Sequence, residues 1–356
     1  MGEGKGSGGG RRAGTGGCFF VLGRDLWERV WQAETGNRMT LALVWLVLLA
    51  GTGSGHARTR WSAKACETHL GIGKPRARKA IDELIAAGLV ARSAGWTKLR
   101  PVYDLPGLDR DADAIFLPVA LVTGLAGETP VLRRVRETGD PLALRMLIDL
   151  YGLVATDATH GVPIHAYRGG LVQAGEQDSA LAGAVGSWHL WSLRSGIFRL
   201  AGGSWTKAHC EAEAEEPWRS FWARITLLTR IGAVWEEGWL FDGQSLDAEP
   251  ILPFGADDGS DSPDARAAVD AMTTAGVRLL ERLPADRITD DGAGRIVPLL
   301  RHHQAPAYRQ ILRMRVEPDT PGRRLAWKAR CAAIAEAETR HERMLDEMLM
   351  GLPAGV

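Results

Sequence analysis

The chain has 356 residues, 45% of them apolar and 24% charged, a composition that suits two or three folded domains of roughly 100–200 residues each and excludes disorder throughout. Lys plus Arg and Asp plus Glu both number 43, so whole-chain charge points to no polyanion partner and only its distribution is informative. Cys18, Cys66, Cys210 and Cys331 lie far apart without a CxxC pair, which fits a reducing compartment rather than a disulfide scaffold.

Residues 1–17 hold nine glycines and, after Met1, nothing apolar larger than Ala, so a disordered tail is expected there. Lys5 in GEGKGSGGG is followed by Gly6 where a phosphate loop has Ser or Thr. Arg11 and Arg12 precede only a five-residue apolar stretch, Cys18 to Leu22, short of a signal peptide. The longest apolar run, Leu41 to Ala50, is about half of what spans a bilayer and reads as a buried helix. The expectation is a cytoplasmic protein without membrane contact.

Leu26, Trp27, Val30, Trp31, Met39 and the apolar run predict helix between Asp25 and Ala50, interrupted near Gly36-Asn37. Ser62 is an N-cap for a short helix through His69, Leu70-Gly71-Ile72 turns the chain, and Pro75 suits the first turn of a second helix. In that helix Ala77, Ala80, Ile81, Leu84 and Ile85 share one face, and Gly88 stops it. Leu89–Arg92 and Leu99–Tyr103 then read as strands around a Gly95-Trp96 turn.

Helix, helix, turn, helix and hairpin is the order of a winged helix-turn-helix. The stretch HLGIGKPRARKAIDELIAAGLVAR resembles the recognition half of many bacterial winged-helix regulators, which share Gly after the first helix, a small residue six positions on, and LxxxGLV at the end. The resemblance covers residues 38–104 and implies a module that binds duplex DNA. One departure is Glu67, four residues before Gly71, where the family has a small residue against the next helix; it implies a wider helix crossing.

Charge agrees with the resemblance. From Arg58 to Arg100 ten basic residues face three acidic ones, leaving +7 within a neutral chain, the electrostatic footprint of a phosphate-backbone binder. A solvated basic face is the plainer alternative. Arg76 and Lys79 are expected on the exposed face of the second helix as base contacts, since Arg offers guanine a planar pair of donors. Lys74, Arg78, Arg92, Lys98 and Arg100 are expected to hold phosphates. Trp96, at the expected wing tip, either meets DNA or folds back on the module.

Residues 40–51, TLALVWLVLLAG, align with residues 141–152, PLALRMLIDLYG, and Ile81, Leu84, Gly88 and Val90 match Ile225, Leu228, Gly232 and Val234. A second winged helix over 141–243 is one reading, with Val234–Glu236 and Trp239–Phe241 as its wing around Glu237-Gly238. The other is that any helix followed by a hairpin gives such matches. Tandem winged helices occur in plasmid replication initiators, and the layout is similar to that class. His209 to Asp264 carries thirteen acids and three Arg residues, which suits protein contact rather than DNA; Trp218, Trp222, Trp235 and Trp239 are core or interface there.

An acidic loop is expected at 257–261, a helix from Pro263 to Leu283, strands near Arg295–Leu300 and Tyr308–Val316, and a long helix from Pro321 to Leu349. In the last helix Trp327, Cys331, Ile334, Glu338, His341, Leu345 and Met348 repeat as a coiled-coil seam does, to be met by its own domain or by a second copy. A net +6 between Arg301 and Arg330 would allow a secondary nucleic-acid contact. His302-His303, His209-Cys210 and the alternating Asp109, Asp111 and Asp113 lack the further ligands of a metal site.

The expected fold class is α+β, mainly helical, with a tail (1–17), a winged helix (25–104), an interaction or second winged domain (114–256) and a C-terminal α/β region (263–356). The expected function is sequence-specific binding of double-stranded DNA as a transcriptional regulator. Replication initiation of a plasmid or phage type is the alternative, and a protein-interaction scaffold the third reading. Neither enzyme activity nor a cofactor or metal is expected; self-association through residues 114–356 is.

Overall fold

A computed structural model describes residues 19–107, 113–154, 161–163, 171–173, 179–193, 198–200, 217–243, 248–254, 263–289, 294–304 and 306–351. Helix outweighs strand in a mixed α and β architecture. The chain divides into two compact units, residues 1–130 and 131–356.

In the first unit β1 (Phe19–Gly23) leads into α1 (Arg24–Gln32), whose Leu26, Trp27, Val30 and Trp31 form the buried stripe. The side chain of Asn37 accepts the Thr40 N–H at 2.8 Å and caps α2 (Arg38–Ala50). Every residue of α2 from Met39 onward is buried, because α1, β1 and the later helices Ala63–Leu70, Lys74–Ala86 and Ala120–Thr123 surround it. Among the described residues no helix is long and apolar enough to cross a membrane. Gly51 closes α2 where an added Cβ would sit 2.4 Å from both Thr59 Oγ1 and Trp61 Cγ, so only glycine lets β2 (Arg58–Thr59) pass the helix end.

Next come α3 (Ala63–Leu70), capped by Ser62, and α4 (Lys74–Ala86). Gly71 between them adopts φ 67°, and its N–H and that of Ile72 donate to the carbonyls of Glu67 and Cys66. This left-handed closure reverses the chain within three residues and is cheap only for glycine. Cys66, Leu70, Ala77, Ala80, Ile81 and Leu84 fill the space between α2, α3 and α4. Burial pushes the Cys66 thiol up to about 12, making it a packing group rather than a nucleophile. Glu67 is exposed and pairs with Lys74 at 3.1 Å, so it does not wedge the helices apart as its place in the sequence suggested.

β3 (Ala91–Arg92) and β4 (Tyr103–Asp104) pair antiparallel, and β2 joins the other edge of β4. Arg58 and Asp104 stand opposite each other across β2 and β4 and bond at 2.6 Å. β5 (Ala114–Pro118) pairs with β1, and α5 (Ala120–Thr123) lies against α2 and α3.

The second unit runs α6 (Val131–Thr138), α7 (Pro141–Tyr151), β6 (Val162–Pro163), β7 (Leu171–Gln173), β8 (Ser179–Val185), β9 (Trp188–Leu193), β10 (Phe198–Leu200), α8 (Pro217–Arg230), β11 (Val234–Asp242), β12 (Glu249–Pro253), α9 (Pro263–Leu280), β13 (Arg295–Leu300), β14 (Pro306–Met314) and α10 (Pro321–Gly351). Its larger sheets have strand orders β12-β11-β14-β6 and β13-β9-β8. Leu240, Leu252, Phe254, Met272, Val297 and Leu299 form one core between them.

Three expectations change here. The expected wing around Glu237-Gly238 is one unbroken strand, β11, bonded to β14 from Val234↔Met314 to Asp242↔Pro306; Glu237 in its middle is held by buried Arg313 and Arg330, and the chain reverses only beyond Asp242. The two halves nevertheless share a helix ending. Gly88 and Gly232, at φ 67° and 64°, terminate α4 and α8 through equivalent bonds, Leu89 N–H to Leu84 O and Ala233 N–H to Leu228 O.

The domain limits also move. Residues 114–130 belong to the first unit through the β1–β5 ladder, whereas 131–256 and 263–356 are one unit, since β13 pairs with β9 and β14 with β11. The buried face of α10 is Arg330, Ile334, Ala337, His341 and Met344, packed on α9 and, through Met344, on the β8–β9 hairpin. Of the expected seam, Ile334 and His341 lie on this buried face, whereas Trp327 is 55% exposed and Cys331 is exposed; the face packed inside the unit is therefore turned away from the first part of that seam. The 1–17 tail, Asp109, Asp111, the 257–261 loop and His209-Cys210 lie outside the described residues.

Candidate nucleic-acid interface

α4 buries one face and exposes the rest. Ala77, Ala80, Ile81 and Leu84 point into the core, leaving Lys74, Arg76, Arg78, Lys79 and Asp82 in solvent. Its N-cap, Gly73, offers no side-chain acceptor, so the first-turn N–H groups have no such partner and add their dipole to the four cations.

The exposed arc has two flanks. On one, Lys74, Arg78 and Asp82, spaced by one turn each, line a groove of about 530 Å³ whose other wall is Arg92, Trp96, Lys98, Leu99, Pro101 and Tyr103, with Ser62 and Lys64 of the α3 start at its end. On the other, Lys79 approaches Glu83 at 4.0 Å, and Glu83 accepts the Thr35 hydroxyl at 2.6 Å. Expected phosphate contacts Lys74, Arg78, Arg92 and Lys98 are thus gathered in one concavity. The expected base contacts Arg76 and Lys79, and Arg100, are exposed but do not line it.

The 93–102 loop departs from a simple two-residue turn. Ser93 N–H donates to Val102 O, Trp96 N–H to Ser93 O, and Thr97 N–H to Arg100 O, while the Arg100 N–H donates to Thr97 Oγ1 at 2.9 Å. Two successive turns result, and the outermost residue is Leu99, 94% exposed. Trp96, expected at the tip, folds back instead. Its ring lies 4.7 Å from the Arg92 guanidinium carbon, and Arg92 also bonds Asp82 at 2.9 Å. An indole beside a cation and a wall of the groove is better covered there than on a turn in water.

Sequence reasoning missed Asp82, Ser62 and Tyr103 as groove residues. The 74–78–82 spacing carried the signal for Asp82, because residues four apart stack on one helix face; Ser62 and Tyr103 are brought in by the fold and had none.

The second unit offers its cations less freely. Arg313 and Arg330 are buried on Glu237, Arg323 pairs with Glu317 at 3.0 Å, and Arg324 with Asp319 at 3.2 Å. The local +6 that suggested a secondary nucleic-acid contact already sets Glu317 and Asp319 against two of these cations, so only Arg313 and Arg330, buried on Glu237, are further withdrawn from it. His303 Nδ1 lies 3.4 Å from Asp242; among the described residues no three His, Cys, Asp or Glu side chains are grouped to hold a metal. Compared with protein families, curated proteins and solved structures, the chain matches none.

Proposed function

We propose that residues 38–104 act as a winged helix-turn-helix that binds double-stranded DNA in a sequence-specific way, and that the protein is a transcriptional regulator. The observation that carries this reading is the groove between α4 and the 93–102 loop, with Lys64, Lys74, Arg78, Arg92 and Lys98 around it and no comparable surplus of acid. Cations converging on one concavity focus a positive potential that charges scattered over a solvated face do not.

In this reading α4 enters the major groove, Arg76 and Lys79 meet base edges, and Lys74, Arg78, Arg92, Lys98 and Arg100 hold phosphates. The replication-initiator reading leans on a second winged unit. With β11 unbroken where a wing was expected, the regulator reading is preferred. Pairing of two copies through residues 114–356 stays part of the proposal, on a surface other than the α10 seam. No catalytic role is assigned.

Fluorescence anisotropy of the full chain on labelled duplexes tests this at several salt concentrations. Each neutralised phosphate contributes about −0.9 to the slope of log affinity against log salt. Lys98→Ala and Arg100→Ala should shallow that slope alike on every sequence. Mapping bound sites across a genome separates the two biological roles: scattered promoter sites fit a regulator, and repeats beside one origin fit an initiator.

A further inference from the structure

Among the described residues, Asp82 is the one carboxylate lining a groove otherwise charged by Lys and Arg. An acid facing a polyanion weakens binding unless it does something else. Its partner is plain: Asp82 Oδ1 accepts from Arg92 Nη2 at 2.9 Å, and the same guanidinium lies over the Trp96 ring at 4.7 Å. One cation of β3 is therefore held from α4 on one side and from the 93–102 loop on the other. The pair is half-exposed, and ion pairs in solvent are weak, so a phosphate can displace Asp82 without large cost.

From this juxtaposition we infer that Asp82 is a specificity-determining positioning residue. In the DNA-free protein it occupies Arg92 and fixes the loop against α4, and only a duplex whose bases engage α4 brings a phosphate close enough to take Arg92 over. On other sequences Asp82 keeps Arg92 and one phosphate goes without its cation. This rests on the DNA-binding reading above and adds to it which residue sets the ratio of specific to non-specific affinity.

The test is a double-mutant cycle on the full chain, with Asp82→Asn, Arg92→Ala and both together, titrated against the preferred and an unrelated duplex across salt. Asp82→Asn should steepen the salt slope on unrelated DNA by about 0.9, the value of one further neutralised phosphate, raise affinity there several-fold, and leave the preferred site nearly unchanged. With Arg92 already Ala, Asp82→Asn should do much less to the ratio. An effect of the same size in both backgrounds would overturn the inference and make Asp82 a direct repeller or a cytosine reader.

A second readout needs no DNA. The part of the tryptophan emission that Trp96→Phe removes should shift equally in Asp82→Asn and Arg92→Ala, because either change releases the stack. An unshifted Asp82→Asn signal contradicts the positioning role even if DNA binds. A parent chain that binds neither duplex contradicts the DNA reading, and with it the specificity role, while this spectrum still reports whether Asp82 holds Arg92.

Discussion

Arg76 is exposed at the start of α4, outside the groove, and on the proposed reading it is a base contact rather than a phosphate contact. Arg76→Ala should cost roughly 1–3 kcal/mol on the preferred site and little elsewhere; an equal loss on all sequences, measured by anisotropy, would make it another phosphate contact. His341 gives a pH prediction for the second unit. It is 1% exposed, with Nδ1 2.6 Å from Ala337 O and Nε2 3.2 Å from Pro298 O. Burial holds its pKa below the usual 6.5, against the opposing pull of those two carbonyls. The unfolded chain then binds the proton more readily, so the stability His341 contributes is complete above pH 6.5 and is lost as pH falls toward the folded-state value. Urea midpoints measured from pH 8 down should fall below about pH 6.5, less so in His341→Gln; identical pH profiles would contradict this. At this scale the sequence was legible for exposure, as for Arg76, Lys74 and Arg78, which the buried stripe of α4 leaves in solvent. It was not legible for Trp96, whose position depends on Arg92 and two turns that follow it.

Elements whose ends are written in glycine and caps were the most readable. Ser62, Gly71, Pro75 and Gly88 mark the limits of α3 and α4 because each satisfies or spares backbone groups that a helix end leaves open. The wing expected around Glu237-Gly238 failed because that glycine stays in the ladder with β14 and its carbonyl accepts the Phe254 N–H just past β12, and the β14 side comes from residues over sixty positions away. α10 shows the same limit: its heptad spacing is visible in sequence, but whether α9 or a second copy fills the seam is a tertiary matter. Ile334 is 3% exposed against Ala265, Ala268 and Ala337, so Ile334→Ala should destabilise the second unit by about 2–5 kcal/mol. Trp327→Ala, at a largely exposed position, should cost far less. Comparable urea midpoints for the two variants would show the seam assignment to be wrong.

At the scale of the molecule, the local basic excess was readable but the limits of its unit were not, since β5 returns to β1 from nearly a hundred residues away and brings 114–118 into the first unit. The cut therefore belongs at 130/131. A fragment of residues 1–130 should bind duplex DNA more weakly than the full chain, for want of the second half-site that a paired chain engages. Residues 131–356 should not bind it; light scattering reports whether that fragment pairs, and anisotropy whether it binds. The most direct check of the central claim compares the parent chain with an Arg76→Ala, Arg78→Ala, Lys79→Ala variant on labelled duplex at matched helical content. α4 as the DNA-contacting helix requires a weakened preference among sequences and a salt slope shallower by about 0.9 for each phosphate that the variant no longer neutralises. Unchanged affinity, preference and slope would contradict the account and move the functional surface away from α4.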